Sequence, residues 1–273
     1  MIEPTTSEEY TENGAQLTPE QAIANLQSSD LSLRYYAAWW LGKFRVSQPE
    51  AINALITALT DEDDKTELGG YPLRRNAARA LGKLGSPQAI PGLIQCLECS
   101  DFYVREAAAQ SLGMLGAKAA VPTLITMLDG SVAKAVQVAG RPHLTQPYQA
   151  VLEALGAIGA TEAISLIQPF LQHPVLRVQC SAARAMYQLT QDSQYGEFLV
   201  TMMHKSDLKL RRSILGDLGA IGYMAAAEAI AHAQAENSFK LMALKGLLEH
   251  QLTSDSELSD QAVQVMNLMD SLL

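Results

Sequence analysis

Arginines recur at similar places in several segments of the chain, and they suggest binding of carboxylates. The guanidinium group matches a carboxylate through two parallel hydrogen bonds, so a row of arginines is suited to a ligand that carries acidic groups. An alternative is a ladder of ion pairs between neighbouring segments. We expect the structural role for the arginine that recurs at the second position of each repeated segment, as Arg74 does after Leu73. The candidates for binding are Arg74, Arg75, Arg105, Arg211 and Arg212.

One histidine lies in a loop-like setting. His143 belongs to the segment Gly140-Arg-Pro-His-Leu-Thr145, and Arg141 and Tyr148 flank it. A loop histidine titrates near neutral pH and is suited to moving a proton, so His143 is the candidate catalytic residue and its two neighbours are candidate ligand contacts. The remaining histidines show no metal-ligand spacing, and we predict no metal site and a surface position for each: His173, His204, His232 and His250.

Aromatic rings and thiols complete the reactive residues. In Tyr35-Tyr-Ala-Ala-Trp-Trp40, Tyr36 is a candidate to contact a flat conjugated ligand, and Trp39 is predicted to pack in the core. Thiols that carry a ligand transiently need cationic surroundings, which no cysteine obviously has. We therefore predict inert thiols at Cys96, Cys99 and Cys180.

These residues belong to a repeat of about 31 residues with two insertions. Leu73-Arg-Arg-Asn-Ala-Ala-Arg-Ala-Leu-Gly82 returns as Val104–Gly113 and Leu210–Gly219, and less completely elsewhere. Apolar residues follow helical spacing, glycines stand at expected helix ends, and no segment alternates with a period of two. The tenth position is small, which would allow neighbouring helices to approach closely. The predicted fold is all-α, a HEAT-like solenoid of helix pairs (an α–α superhelix).

The organisation along the chain follows from this repeat. We predict a polar arm over 1–17 and a solenoid over 18–252, with inserted loops at 61–71 and 129–146. Equivalent positions in a solenoid share an edge, so both loops are expected on one edge. A linker and a last helix occupy 253–273. That helix places Val263, Met266 and Met269 on one stripe, which either caps the array or docks on a partner, and we favour the cap.

Composition excludes several classes of protein. Hydrophobic residues make up 48% of the chain, enough for a continuous core, yet no apolar run is long enough to span a membrane. The acidic start does not resemble a signal peptide, and three cysteines suggest reduced thiols, so we expect a cytoplasmic protein. A net charge of −9 gives no positive field for nucleic acid.

The repeat resembles the HEAT-like repeats of the phycobilisome lyases. The insertion Gly140-Arg-Pro-His-Leu-Thr-Gln-Pro-Tyr148 and the aromatic run that ends at Trp40 are similar to the E-subunit family of heterodimeric phycocyanobilin lyases. The resemblance extends from about Leu17 to Leu252. It implies a homologous F subunit as partner and phycocyanobilin as a substrate rather than a cofactor. The pair would attach phycocyanobilin through a thioether to a cysteine of the apo-phycocyanin α-subunit.

Other functions remain open or are excluded. A sister pair of lyases also isomerises the bilin, and because its Asn-His-Cys-Gln motif belongs to the partner subunit, this alternative stays open. A non-catalytic protein-binding scaffold is a second alternative. A di-iron hydroxylase built on the same repeat needs His-Glu at the third and fourth positions of four units. None of the units here has that pair, which excludes this iron chemistry.

Overall fold

The computed structural model describes residues 17–251 and 259–273. Within these ranges the regular secondary structure is helical, and the one β-type pairing is an isolated bridge between Gln137 and Leu144. The all-α, HEAT-like class is confirmed. The helices are α1 (Pro19–Asn25), α2 (Leu31–Lys43), α3 (Pro49–Ala58), α4 (Pro72–Leu84), α5 (Ile90–Cys96), α6 (Phe102–Met114), α7 (Val121–Met127), α8 (Ser131–Lys134), α9 (Tyr148–Ile158), α10 (Ile164–Ile167), α11 (Leu176–Thr190), α12 (Ser193–Lys205), α13 (Leu208–Ile221), α14 (Ala227–Ala231), α15 (Asn237–Gln251) and α16 (Asp260–Asp270).

The described residues form two compact units, divided between Thr123 and Leu124, and each is described by itself. In the first unit the long helices α2, α4 and α6 pack side by side in chain order. In the second unit α9, α11, α13 and α15 do the same. Each long helix is the first helix of a repeat, so the corresponding side chains of successive repeats lie next to one another within a unit.

Small residues set the spacing of the long helices. A Cβ atom on Gly42 would lie 2.8 Å from the Cα of Ala80, and one on Gly156 would lie 2.7 Å from the Cα of Ala185. Both distances are below van der Waals contact, so only glycine allows these helices to pack this closely. The close approach predicted from the repeat is confirmed at these positions.

The core consists mainly of leucine and alanine from the faces where helices meet. Leu41 and Leu81 in the first unit, and Leu155 and Leu218 in the second, are completely buried. Burial of each leucine contributes about 1.5–3 kcal/mol. This apolar layer fixes the long helices, and the polar residues at the third and seventh repeat positions are then presented at their surface.

Several sequence expectations are wrong in detail. Trp40, rather than Trp39, is the buried tryptophan: it is 7% exposed and packs against Phe44 with ring centroids 4.7 Å apart, while Trp39 is half-buried. His173 is completely buried and is not a surface residue.

The C-terminal helix α16 buries a different stripe from the predicted one. Ala262 and Val265 are its buried residues, and Met269 packs partly against the core of the second unit. Val263 and Met266 are 43% and 41% exposed. The apolar contact of this helix is therefore made by the neighbouring stripe, and whether α16 caps or docks stays a prediction.

The chain boundaries are described only in part. Residues 1–16 of the predicted arm and residues 252–258 around the predicted linker lie outside the described residues. Leu17, the last residue of the predicted arm, is 7% exposed and belongs to the core. The insertions at 61–71 and 129–146 belong to different units, and their common edge stays a prediction.

Candidate functional site

The arginines at the second repeat position hold the ends of preceding helices. Helix C-termini carry carbonyl groups without partners in the helix, and guanidinium donors satisfy them. Main-chain carbonyls therefore engage these half-buried arginines, and their role as ligand contacts stays a prediction. The contacts are Arg74 Nε to the Asp61 carbonyl (2.6 Å), Arg105 Nη1 to the Cys99 carbonyl (2.7 Å) and Arg211 Nε to the Met203 carbonyl (3.0 Å).

Two of the candidate arginines also form ion pairs with glutamate side chains. Arg74 also forms an ion pair with Glu62, and its guanidinium lies 4.1 Å from the centroid of the Tyr71 ring. The hydrogen bond from Arg74 holds the pKa of Glu62 below its usual value. Arg212 forms an exposed ion pair with Glu236, so a ligand carboxylate would have to displace that glutamate.

Arg75 is in a different situation. Its Nε atom is buried and has no hydrogen-bond partner among the described residues, and its guanidinium lies 5.9 Å from the Tyr103 ring centroid. Arg79, one turn further along α4, was missed from the sequence. Its side chain is 45% exposed and approaches the Glu106 carboxylate only at 3.9 Å. Two arginines thus lie on one face of α4, one with an unpartnered Nε atom and the other with a long ion pair.

Aromatic side chains lie on the neighbouring helices of the same unit. On α2, the rings of Tyr36 and Trp39 are 5.5 Å apart, and the Lys43 ammonium lies 5.6 Å from the Trp39 centroid. Trp39 occupies the same repeat position as Arg79, so both belong to one surface of the first unit. We name this surface the arginine–tyrosine face, and it consists of Tyr36, Trp39, Arg75, Arg79 and Tyr103.

In the second unit, Glu153 and Arg184 occupy the repeat position of Trp39 and Arg79, and both belong to an ion network. Arg177 contacts both Glu153 (2.7 Å) and Asp217, and Arg184 contacts Asp217 at 3.1 Å. The Asp217 side chain is 2% exposed. Burial opposes the charge of Arg177, but the two carboxylates outweigh it and raise the pKa of the guanidinium. This network of Glu153, Arg177, Arg184 and Asp217 joins α9, α11 and α13, and its charges neutralise one another.

The second insertion is a small ordered hairpin rather than an open loop. The amide of Val138 donates to the His143 carbonyl (3.0 Å), and the amide of Thr145 donates to the Val136 carbonyl (2.9 Å). His143 Nδ1 donates to the Leu144 carbonyl at 2.9 Å. A carbonyl only accepts, so Nδ1 carries the hydrogen and the basic lone pair of the neutral ring is on Nε2. Arg141 is exposed at the turn.

Tyr148 is buried in the described structure, and its role as a ligand contact stays a prediction. Its ring is 2% exposed and packs on Phe170, with centroids 5.4 Å apart, while its hydroxyl lies 3.3 Å from Thr145 Oγ1. The Tyr148 side chain therefore contacts the hairpin at Thr145 and helps to hold it. Its place directly after the insertion made it look accessible, but the start of α9 is turned into the core.

The cysteines have unequal surroundings. Burial raises the pKa of the Cys96 and Cys180 thiols to about 12, as expected for inert groups. Cys99 is half-buried and lies beside the guanidinium groups of Arg74 and Arg105. The expectation that no cysteine has cationic neighbours is therefore wrong for Cys99.

Metal and membrane features are limited to what the described ranges show. Within them, no group of three or more histidine, cysteine, aspartate or glutamate side chains is arranged to hold a metal ion. No helix in the same ranges is long and apolar enough to cross a membrane.

Comparison with known proteins identifies the family. The model for HEAT repeats matches residues 71–140, and the model for the PBS lyase HEAT-like repeat matches 33–61 and 148–173. The chain is 74% identical to the phycocyanobilin lyase subunit alpha of Nostoc sp. PCC 7120, covering 100% of both chains. It is 61% identical to the subunit of that name from Microchaete diplosiphon, over 97% of this chain and 95% of the other.

A solved structure agrees with these sequence matches. It is the complex of CpcE and CpcF of phycocyanin lyase from Nostoc sp. PCC 7120, and one of its chains matches with a TM-score of 0.92 and 74% identity. The match covers 99% of this chain and 100% of the other. Because whole-chain identity, the repeat family and the fold agree, the chain belongs to the family of phycocyanobilin lyase alpha subunits.

Proposed function

We propose that the chain acts with a homologous F subunit to attach phycocyanobilin to a cysteine of the phycocyanin α-subunit. The observation that carries this proposal is the 74% identity, over the whole length, to a phycocyanobilin lyase subunit alpha. The solved complex of CpcE with CpcF supports a heterodimer. A scaffold without chemistry is disfavoured because the match extends over the whole chain, the two insertions included, rather than over the repeats alone.

The proposed reaction is the addition of a thiol across the ethylidene double bond of the bilin. The acceptor sulfur forms a bond to the ethylidene carbon, and the adjacent ring carbon takes up a proton. One S–H bond and one C=C π bond are lost, one C–S and one C–H bond are formed, and no oxidant is required. The lyase must hold the propionates, orient the flat conjugated system and move a proton.

The arginine–tyrosine face is the proposed bilin-binding surface of the first unit. Arg75 and Arg79 would bind propionate carboxylates, because Arg75 Nε has no hydrogen-bond partner among the described residues, Arg79 is 3.9 Å from the Glu106 carboxylate, and both lie on one face of α4. Tyr36, Trp39 and Tyr103 would contact the pyrrole rings. The second-position arginines have no direct role in this proposal, because main-chain carbonyls engage them.

Reconstitution tests the function directly. The chain, its F partner, phycocyanobilin and the apo α-subunit are mixed, and the acceptor is analysed after denaturation. Covalent colour on the acceptor supports a lyase, whereas its absence would show a scaffold. The absorbance of the bound chromophore separates simple attachment, which leaves a phycocyanobilin adduct, from isomerising attachment, which shortens the conjugated system.

His143 is proposed separately as the proton-transfer residue. The hairpin fixes its hydrogen on Nδ1, so Nε2 has the lone pair that a general base needs. His143→Ala is expected to slow attachment by about 100-fold with bilin binding and helix content unchanged. His204→Ala, on the exposed surface of α12, is the matched control. An unchanged rate in the His143 variant would assign proton transfer to another residue or to the partner.

A further inference from the structure

The hairpin at 136–145 needs support from outside itself. Its strands are paired through a single bridge, between Gln137 and Leu144, and an isolated two-stranded hairpin is only marginally stable in water. A residue used for proton transfer must nevertheless be held within a fraction of an ångström of its productive position. Whatever fixes the base of the hairpin therefore fixes His143.

The base is formed by the carbonyl groups at the end of α8. This helix has four residues, so it cannot satisfy its own terminal carbonyls. Two side chains from elsewhere do so. Thr145 Oγ1 donates to the Lys134 carbonyl at 2.7 Å, and His173 Nε2 donates to the Ala135 carbonyl at 2.9 Å.

His173 is fixed on all sides. It is completely buried, and its Nδ1 accepts a hydrogen bond from the Val175 amide at 3.0 Å, so Nε2 carries the hydrogen in the neutral ring. The ring is nearly parallel to that of Phe170, with an interplanar angle of 17°, and Phe170 packs on Tyr148. Gln179 Nε2 donates to the His173 carbonyl at 2.6 Å.

We propose that His173 is a positioning residue that clamps the hairpin to the segment before α11 and so sets the place of Arg141 and His143. The buried imidazole has no access to substrate and acts through its hydrogen bond to the Ala135 carbonyl. Its two nitrogens have different roles. Nδ1 accepts from the Val175 amide and so fixes the orientation of the ring, whereas Nε2 donates to the Ala135 carbonyl at the base of the hairpin. The expected effect of the clamp on the reaction rests on the proposed role of His143 in proton transfer. The expected effect of the clamp on the stability of the hairpin does not depend on that role.

Two substitutions separate these tasks. In His173→Asn, the amide oxygen takes the place of Nδ1 toward Val175, but the side chain is too short to reach Ala135. In His173→Gln, the amide nitrogen has about the reach of Nε2 and keeps the bond. Hydrogen exchange of the Val138 and Thr145 amides, measured in the complex with the F subunit, reports the hairpin.

The clamp predicts exchange about tenfold faster at both amides in the Asn variant, and near wild-type exchange in the Gln variant. Unchanged exchange in His173→Asn would overturn the proposal. If that variant does not fold, His173→Met, which has the length of glutamine without its donor, also removes the bond to Ala135 and should speed exchange at Val138 in the same way. An unchanged rate in His173→Met would also overturn the proposal.

The attachment rate tests whether the clamp acts through His143. His173→Asn should slow attachment by about tenfold, with the KM for bilin unchanged, and should cause no further loss in a His143→Ala background. An equal loss in both backgrounds would contradict action through His143. Should His143→Ala itself leave the rate unchanged, the proton-transfer proposal fails, and the exchange measurement still decides whether the clamp exists.

Discussion

Arg79 and Arg184 occupy the same position of the repeat, yet their surroundings are opposite. Arg79, in the first unit, is 45% exposed and lies 3.9 Å from its nearest carboxylate. Arg184, in the second unit, is 19% exposed and contacts the buried Asp217 at 3.1 Å and Glu153 at 3.6 Å. Whether an arginine of the repeat forms structural ion pairs or can bind a ligand therefore depends on the acidic side chains of the neighbouring helices.

The decisive difference is one position on the following long helix. Where the second unit has Asp217, the first unit has Ser111, whose hydroxyl donates to the Ala78 carbonyl at 2.8 Å and offers no charge. The second unit uses its arginines to join three helices. The first unit leaves Arg75 and Arg79 on a surface with aromatic neighbours, which is the combination that an acidic, flat ligand requires.

The largest expected effect is on stability, in the second unit. Asp217→Asn removes the buried charge that both arginines share and is expected to lower the free energy of unfolding by about 3 kcal/mol or more. The measurement is chemical denaturation followed by circular dichroism. Glu106→Gln is the matched change in the first unit and is expected to cost at most about 0.5 kcal/mol. Equal losses in the two variants would remove the distinction between the units.

The next effect is on bilin binding, in the first unit. Arg75→Ala is expected to weaken phycocyanobilin binding to the heterodimer by about tenfold, because a charge-assisted pair is lost, with Arg75→Lys intermediate. Fluorescence titration measures the affinity. Arg105→Ala is the control, since it removes bonds to main-chain carbonyls and should lower stability while the affinity of folded protein stays unchanged. The opposite pattern would restore the second-position arginines as ligand contacts.

A smaller effect distinguishes the two tryptophans of α2. Trp39→Ala is expected to weaken bilin binding about threefold to fivefold, the value of one aromatic contact, with little change in stability. Trp40→Ala should instead lower the free energy of unfolding by about 3 kcal/mol, because Trp40 is buried. Denaturation gives the free energy of unfolding of both variants, and fluorescence titration gives their affinity for phycocyanobilin. If only Trp40→Ala lost bilin binding, the arginine–tyrosine face would be wrongly assigned.

Sequence alone predicts the features that depend on local pattern. Helical spacing, the left-handed glycines Gly85 and Gly159, and the close packing at Gly42 follow from residues within one repeat. The partners of the arginines do not, because Arg184 meets Asp217 across 33 positions of chain. His173 appeared to be a surface residue because nothing local shows that the insertion folds back onto it. Comparing the seventh position of each repeat would have revealed Arg79 beside Trp39.

Arg75 and Arg79 are proposed to hold the propionates of the bilin, and chemical removal of those carboxylates is the sharpest test of that role. Binding of phycocyanobilin and of its dimethyl ester is measured for the wild-type heterodimer and for a variant carrying both Arg75→Ala and Arg79→Ala. The ester should bind wild type at least about tenfold more weakly than the acid, and the variant should bind both equally weakly. If the variant still prefers the acid as strongly as wild type does, the propionates are held elsewhere and the arginine–tyrosine face is not the bilin site.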